Sequence, residues 1–160
     1  MIFVTGSVVY PAIRGVSLRA AQAPGTPAFT MPAGKGKDTF ESVCSLCHNP
    51  VAVVGKQFTR AQWESKVTEM LQEEPDVTTE ERAAIVEYLT ATFKPGGKIY
   101  VNIIAAKDLA TLLDLTIDQA TALVRQRDQR GAFKTLEDLK SVPGIDAAKV
   151  DAARERLAFQ

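Results

Sequence analysis

Five consecutive residues, Cys44-Ser45-Leu46-Cys47-His48, hold both cysteines and the sole histidine of this 160-residue chain. C-x-x-C-H is the attachment sequence of c-type haem: two thiols add to the porphyrin vinyl groups and the adjacent imidazole is delivered to the iron. Two other chemistries use neighbouring thiols. A redox dithiol of the thioredoxin kind wants a strand before it and a βαβ surround, and the residues before Cys44 have helical periodicity instead. A structural zinc site needs four protein ligands, and no second Cys/His pair exists to complete one.

The lone histidine carries a deduction. If His48 is one axial ligand, bis-histidine ligation is impossible within one subunit or between identical subunits. Methionine is the usual distal partner, and apart from Met1 only Met31 and Met70 are available. Met70 lies 22 residues after His48 on an apolar helix stripe expected to face inward, whereas Met31 sits in a Pro-flanked linker. Met70 is the expected ligand; its alternative role is a core gap-filler, which would leave the iron five-coordinate and open to gases or peroxide. No catalytic residue is expected: there is no spare histidine for general base work, no free thiol once both are linked, and no Gly-rich nucleotide loop. Trp63 is an electron conduit or a packing residue, and a buried helix aromatic predicts packing.

The elements that must position these residues are helical, and the expected fold class is all-α. Gly36, Phe40 and Cys44 at i, i+4 and i+8 predict one face of a first helix. Thr59 and Gln62 form a T-x-x-Q capping box before the stripe Trp63, Val67, Met70 and Leu71. Thr78 and Glu81 open a third helix that buries Ile85, Tyr88 and Leu89 and stops at Pro95-Gly96-Gly97. Residues 99–160 carry a degenerate repeat of period 30: Asp108-Leu109, Leu112, Leu115 and Ala120 align with Asp138-Leu139, Val142, Ile145 and Val150. Each copy is helix, short turn, helix, with Thr135 capping the helix between them and Pro143-Gly144 marking the second turn.

Residues 35–95 resemble a small class I cytochrome c of the bacterial single-haem type. The resemblance rests on Gly36 and Phe40 leading into the C-x-x-C-H run, the Arg60-Ala61-Gln62-Trp63 opening, Met70, and a terminal helix ending Tyr88-Leu89. It implies one covalent haem c, with Cys44 and Cys47 as thioether links, His48 proximal and Met70 distal. It also implies that the first and last helices cross, bringing Gly36 and Phe40 against Tyr88. About 60 residues bury too little surface to be comfortably stable, and a covalent haem would supply the missing apolar core.

Val101-Asn102-Ile103, the 30-residue repeat, Gly131 to Leu139 and Val142-Pro143-Gly144-Ile145 are similar to the paired helix-hairpin-helix module of the DNA-receptor proteins of bacterial competence (ComEA type). The resemblance implies sequence-independent binding, in which hairpin backbone N–H groups approach a DNA phosphate. Candidate phosphate contacts are Gly144, Ile145, Lys149, Arg125 and Arg127. The chain departs from the pattern where glycines are expected: Asp114 and Thr116 replace both in the first hairpin, and Asp146 replaces the second in the other. An aspartate there caps its own helix and repels phosphate.

Charge and composition bound the rest. With 46% apolar content, and 19 basic residues cancelling 19 acidic ones, this is an ordinary globular composition with no overall basic surplus. Residues 35–97 hold 7 basic and 10 acidic residues, a balance that favours docking to a basic redox partner, while residues 98–160 hold 10 and 9. Residues 1–34 contain no acidic residue; they read as an export signal ending at Ala21-Gln22-Ala23, or as an ordered arm or a misplaced start, followed by a linker. The apolar run at the start is too short to span a membrane. The leading expectation is an exported single-haem electron carrier, periplasmic or extracellular, passing electrons between a donor and an acceptor protein with its tail as a docking module. The alternatives are a haem protein that binds DNA through the tail, and a homo-oligomer or filament that aligns haems for longer-range transfer.

Overall fold

A computed structural model describes residues 29–160; the export-signal and arm readings of residues 1–23 lie outside the described residues. The chain is mostly helical: α1 (Lys37–Cys44), α2 (Arg60–Met70) and α3 (Thr79–Thr92) are followed by α4 (Ala106–Leu112), α5 (Ile117–Arg130), α6 (Leu136–Lys140) and α7 (Ala147–Ala152). A 3₁₀ turn, Pro50–Val53, lies between α1 and α2. Both expected capping boxes form. Thr59 accepts from Gln62 N while the Gln62 amide oxygen accepts from Thr59 N, and Thr78 and Glu81 do the same, which satisfies otherwise orphaned N–H groups at each helix start.

α1 packs across α3, and the backbone contact is intimate. Gly36 is not on the face of α1 as the spacing suggested; it is the residue before the helix, at φ 86°, where a Cβ would sit 2.4 Å from the Ala84 carbonyl oxygen. The expected meeting with Tyr88 is present, with the Phe40 and Tyr88 rings 5.3 Å apart. Tyr88 continues an aromatic chain through Phe93 and Tyr100 to Phe29. Residues 29–34 are therefore not a free linker: Met31 is only 4% exposed, and the Tyr88 hydroxyl donates to the Pro32 carbonyl at 2.8 Å. Burial of Phe29 and Met31 outweighs the turn-forming tendency of the surrounding Pro and Gly.

The 30-residue repeat is two helix pairs, α4–α5 and α6–α7. Leu109, Ala120, Leu139 and Val150 are fully buried as the periodicity predicts, but Leu113 is buried where Leu112 was expected, and Leu112 is only partly buried. One feature had no sequence signal. Ile99–Tyr100 (β1) pairs in parallel with Leu157–Ala158 (β2), two residues each, tying the two ends of the repeat together. Beside it the buried Asn102 amide donates to Phe133 O and Phe159 O and accepts from Phe133 N, so its side chain closes the same seam.

No helix among the described residues is long and apolar enough to cross a membrane. Gly36→Ala is expected to destabilise the chain by roughly 1–3 kcal/mol, since it adds both a left-handed non-Gly residue and a clash with α3. Denaturant unfolding of the two proteins measures this directly.

Candidate functional site

The Cys44–His48 run and the distant Met70 converge on one cleft between α1, α2 and α3. Cys44 is the last residue of α1, Cys47 and His48 lie in the turn after it, and Met70 is the last residue of α2; all four line the cleft. The remaining wall is apolar apart from Lys66 and Glu74, with Phe40, Val53, Trp63 and Ile85 among its members. The cleft has a cavity volume of about 170 Å³, below the ~300–1,000 Å³ range of small-molecule and cofactor sites, and it is open to solvent at its rim.

Each candidate ligand has a distinct environment. Burial, and then the neighbouring Cys47, pushes the Cys44 thiol up to about 11, so it stays protonated at neutral pH. Cys47 is exposed, with its thiol 3.9 Å from a Glu74 carboxylate oxygen that can only accept. His48 Nδ1 lies 3.2 Å from the Asn49 carbonyl oxygen. A carbonyl accepts and never donates, so Nδ1 carries the proton in this contact and the Nε2 lone pair is left for a metal.

Met70 departs from the inward-facing expectation. Trp63, Val67 and Leu71 on the same helix are buried, while Met70 is 51% exposed, because the end of α2 opens onto the cleft rather than onto protein. Leu46, at 75%, is exposed at the same rim. Met31, the other methionine candidate, is buried with the aromatic chain and does not line the cleft. The Trp63 indole N–H donates to the Phe93 carbonyl at 3.2 Å and its ring packs on Phe58, so this side chain is held as part of the wall. Among the described residues no group of three or more His, Cys, Asp or Glu side chains could hold a metal ion by itself. His48 and Met70 are the imidazole and thioether that the cleft offers to a bound group.

The hairpins form a second candidate surface. Asp114 at φ 52° and Gly144 at φ 80° are thirty residues apart and occupy the same left-handed position in their two hairpins. Thr116 caps α5, and the Asp146 carboxylate accepts from Ala148 N and Lys149 N at the start of α7, as expected for a residue standing in place of glycine. The hairpins are bridged twice. Gln119 donates to the Gly144 carbonyl at 3.0 Å; Lys149, thirty residues after Gln119, donates to the carbonyl of Asp114, thirty before Gly144. Lys149 also pairs with the Asp114 carboxylate at 2.8 Å, a hydrogen bond that raises its pKa.

The candidate phosphate contacts therefore divide. Gly144 and Arg125 are exposed, Ile145 is half-buried, and Lys149 is engaged by Asp114. Arg127 is not a surface cation. Its side chain is 14% exposed and its guanidinium donates to the Val101 carbonyl at 3.0 Å and the Ile104 carbonyl at 2.7 Å, with desolvation lowering its pKa. The resemblance placed Arg127 among the candidate phosphate contacts, but its helical position turns it towards the Val101 and Ile104 carbonyls in the segment after β1. Arg130 and Lys134 remain exposed beside a shallow depression near Phe133.

A family model described as the helix-hairpin-helix motif matches residues 94–158, so this part of the chain carries that motif. No solved structure matches the chain.

The two arginines separate by stability. Arg127→Met removes two charge-assisted bonds to partly buried carbonyls and is expected to cost about 1.5–3 kcal/mol. Arg125→Met, at an exposed position, should stay within about 0.5 kcal/mol of the parent in the same denaturant titration.

Proposed function

We propose that the chain is a single-haem c-type cytochrome, exported to a periplasm or beyond, that carries electrons between two protein partners, with its helix-hairpin-helix part serving as a docking module. One observation carries this reading: Met70, 22 residues after His48, lines the same apolar cleft as Cys44, Cys47 and His48. The donor set fits the group. The two thiols would hold it by thioether bonds, His48 Nε2 and the Met70 thioether would ligate its iron, and the apolar walls would keep water from it.

A haem held by methionine and histidine supplies one-electron chemistry at a higher potential than bis-histidine ligation gives. The chain's own residues then set the conditions. Phe40, Trp63 and Ile85 exclude water, Nδ1 of His48 keeps its proton on the Asn49 carbonyl, and the half-exposed end of α2 leaves the cleft rim accessible to a partner. The acidic balance of residues 35–97 favours a basic partner at low ionic strength.

The helix-hairpin-helix match favours a second reading, in which the module binds nucleic acid. Support comes from the two formed hairpins and from exposed Arg125, Arg130 and Lys134. Opposing it, the Asp146 carboxylate already takes the N–H groups at the start of α7, and the hairpin cation Lys149 is committed to Asp114.

Absorption spectra of purified protein, oxidised and reduced, test the first reading. A covalent c-type spectrum is expected, with a weak methionine-to-iron band towards the red that disappears in Met70→Ala; absence of covalent haem overturns it. Fluorescence anisotropy with duplex DNA tests the second. Docking use of the module predicts no measurable duplex binding at physiological salt, whereas a sequence-independent nucleic-acid module binds at about 10⁻⁴–10⁻⁶ M or tighter, with a log–log salt slope of about −0.9 for each phosphate neutralised.

A further inference from the structure

The loop between the two candidate axial ligands is fastened to the helix-hairpin-helix part at its midpoint. After the 3₁₀ turn, whose Pro50 and Val53 line the cleft, the chain runs through Gly55, Lys56 and Gln57 towards α2 and Met70. Lys56 Nζ pairs with Asp108 of α4 at 2.7 Å, and the Asp108 side chain is 19% exposed. Gly55 is shaped to the same residue: a Cβ there would lie 2.4 Å from an Asp108 carboxylate oxygen. Gln57 uses its whole amide, donating to Gly97 O and Lys98 O and accepting from Gly96 N and from the Arg156 guanidinium.

The internal repeat shows that Asp108 has been put to a different use from its counterpart. Asp108 and Asp138 stand thirty residues apart, each at the third position of its helix. Asp138 follows the N-cap Thr135 and closes a capping box, accepting from Lys134 N and Thr135 N at 2.8 and 2.9 Å. Ahead of Asp108 the corresponding N-cap is Ala105, which has no side-chain oxygen to complete the box. The carboxylate is kept while its local partner is gone, and it reaches across to Lys56 instead.

We infer that Asp108 is a positioning residue: from the helix-hairpin-helix part it holds the Gly55-Lys56 loop, and so fixes the span that separates His48 from Met70. The inference rests on the haem reading above. Its consequence is that the module works inward as well as outward, bracing the wall of the cofactor cleft. A loop freed from this strap lets the methionine side of the cleft open, and an external ligand then competes more easily for the distal position.

The test is a titration of ferric holoprotein with imidazole. Asp108→Asn is expected to bind imidazole at least about fivefold more tightly than the parent, the equivalent of losing one partly buried ion pair. The swapped pair Lys56→Asp with Asp108→Lys should return the affinity to within about twofold, since the pair is what matters. Hydrogen exchange gives an independent readout: the Lys56 amide, bonded to Val53 O at 2.8 Å, should exchange faster in Asp108→Asn while the amides of α5 do not. If Asp108→Asn fails to fold, Gly55→Ala displaces the carboxylate more gently and should shift imidazole affinity in the same direction. Unchanged imidazole affinity in a haem-loaded variant overturns the inference alone. A parent protein with no covalent haem overturns the haem reading, and the inference with it.

Discussion

The crossing of α1 over α3 is the contact on which the remainder of the N-terminal half depends. It is possible only because residue 36 lacks a side chain, so that the backbone entering α1 can lie against the Ala84 carbonyl. Phe40 then reaches Tyr88, and the axis of α1 points its C-terminal end, Cys44, at the space left between α2 and α3. A side chain at residue 36 would push the start of α1 away from the Ala84 carbonyl. The geometry of Cys44, Cys47 and His48 is thus fixed one turn and more away from them.

That arrangement leaves apolar surface uncovered. Leu46 and Met70 are large hydrophobic side chains open to solvent at the rim of a cleft whose walls are also apolar. Elsewhere one continuous core runs from Met31 to Leu157, through both the N-terminal helices and the helix-hairpin-helix part. Of the three large hydrophobics exposed among the described residues, Leu46, Met70 and Ile117, two stand beside a histidine and two thiols and leave apolar contact area for an occupant to cover.

Much of this was legible in the sequence, and what was not has a physical reason. Capping boxes at Thr59 and Thr78 were readable because both partners sit within four residues. The 30-residue repeat was readable for a different reason, its buried positions recurring at fixed spacing, and the comparison with known families bears out the helix-hairpin-helix reading. Pairings distant in sequence left no such trace. The two-residue strands β1 and β2 are too short to show alternation, and the Lys56–Asp108 pair joins residues 52 apart. Arg127 misled because it lies among surface cations in sequence, while its carbonyl partners, Val101 and Ile104, are more than twenty residues away. For Asp108 a signal existed in the repeat itself: an acidic residue retained at the third helical position after its capping partner had become alanine.

The third position of each helix in the repeat offers the widest view of how this module diverged. Asp108, Gln119, Asp138 and Lys149 are the four such residues, and a side chain there is pre-aimed back over the helix start, within reach of its own N-cap or of whatever lies beside it. Asp138 stays local and closes its own cap. Gln119 closes its cap with one amide atom and bridges to the other hairpin with the other; Lys149 gives up capping and crosses to Asp114. Asp108 leaves the module altogether for the loop beside the cleft. Because Asp146 takes over the cap that Lys149 cannot make, no helix start is sacrificed by that crossing, and the two hairpins are locked to each other through the carbonyls of their left-handed residues. A surface that in principle offers backbone N–H groups to an anion has here turned three of its four pre-aimed side chains to holding protein against protein.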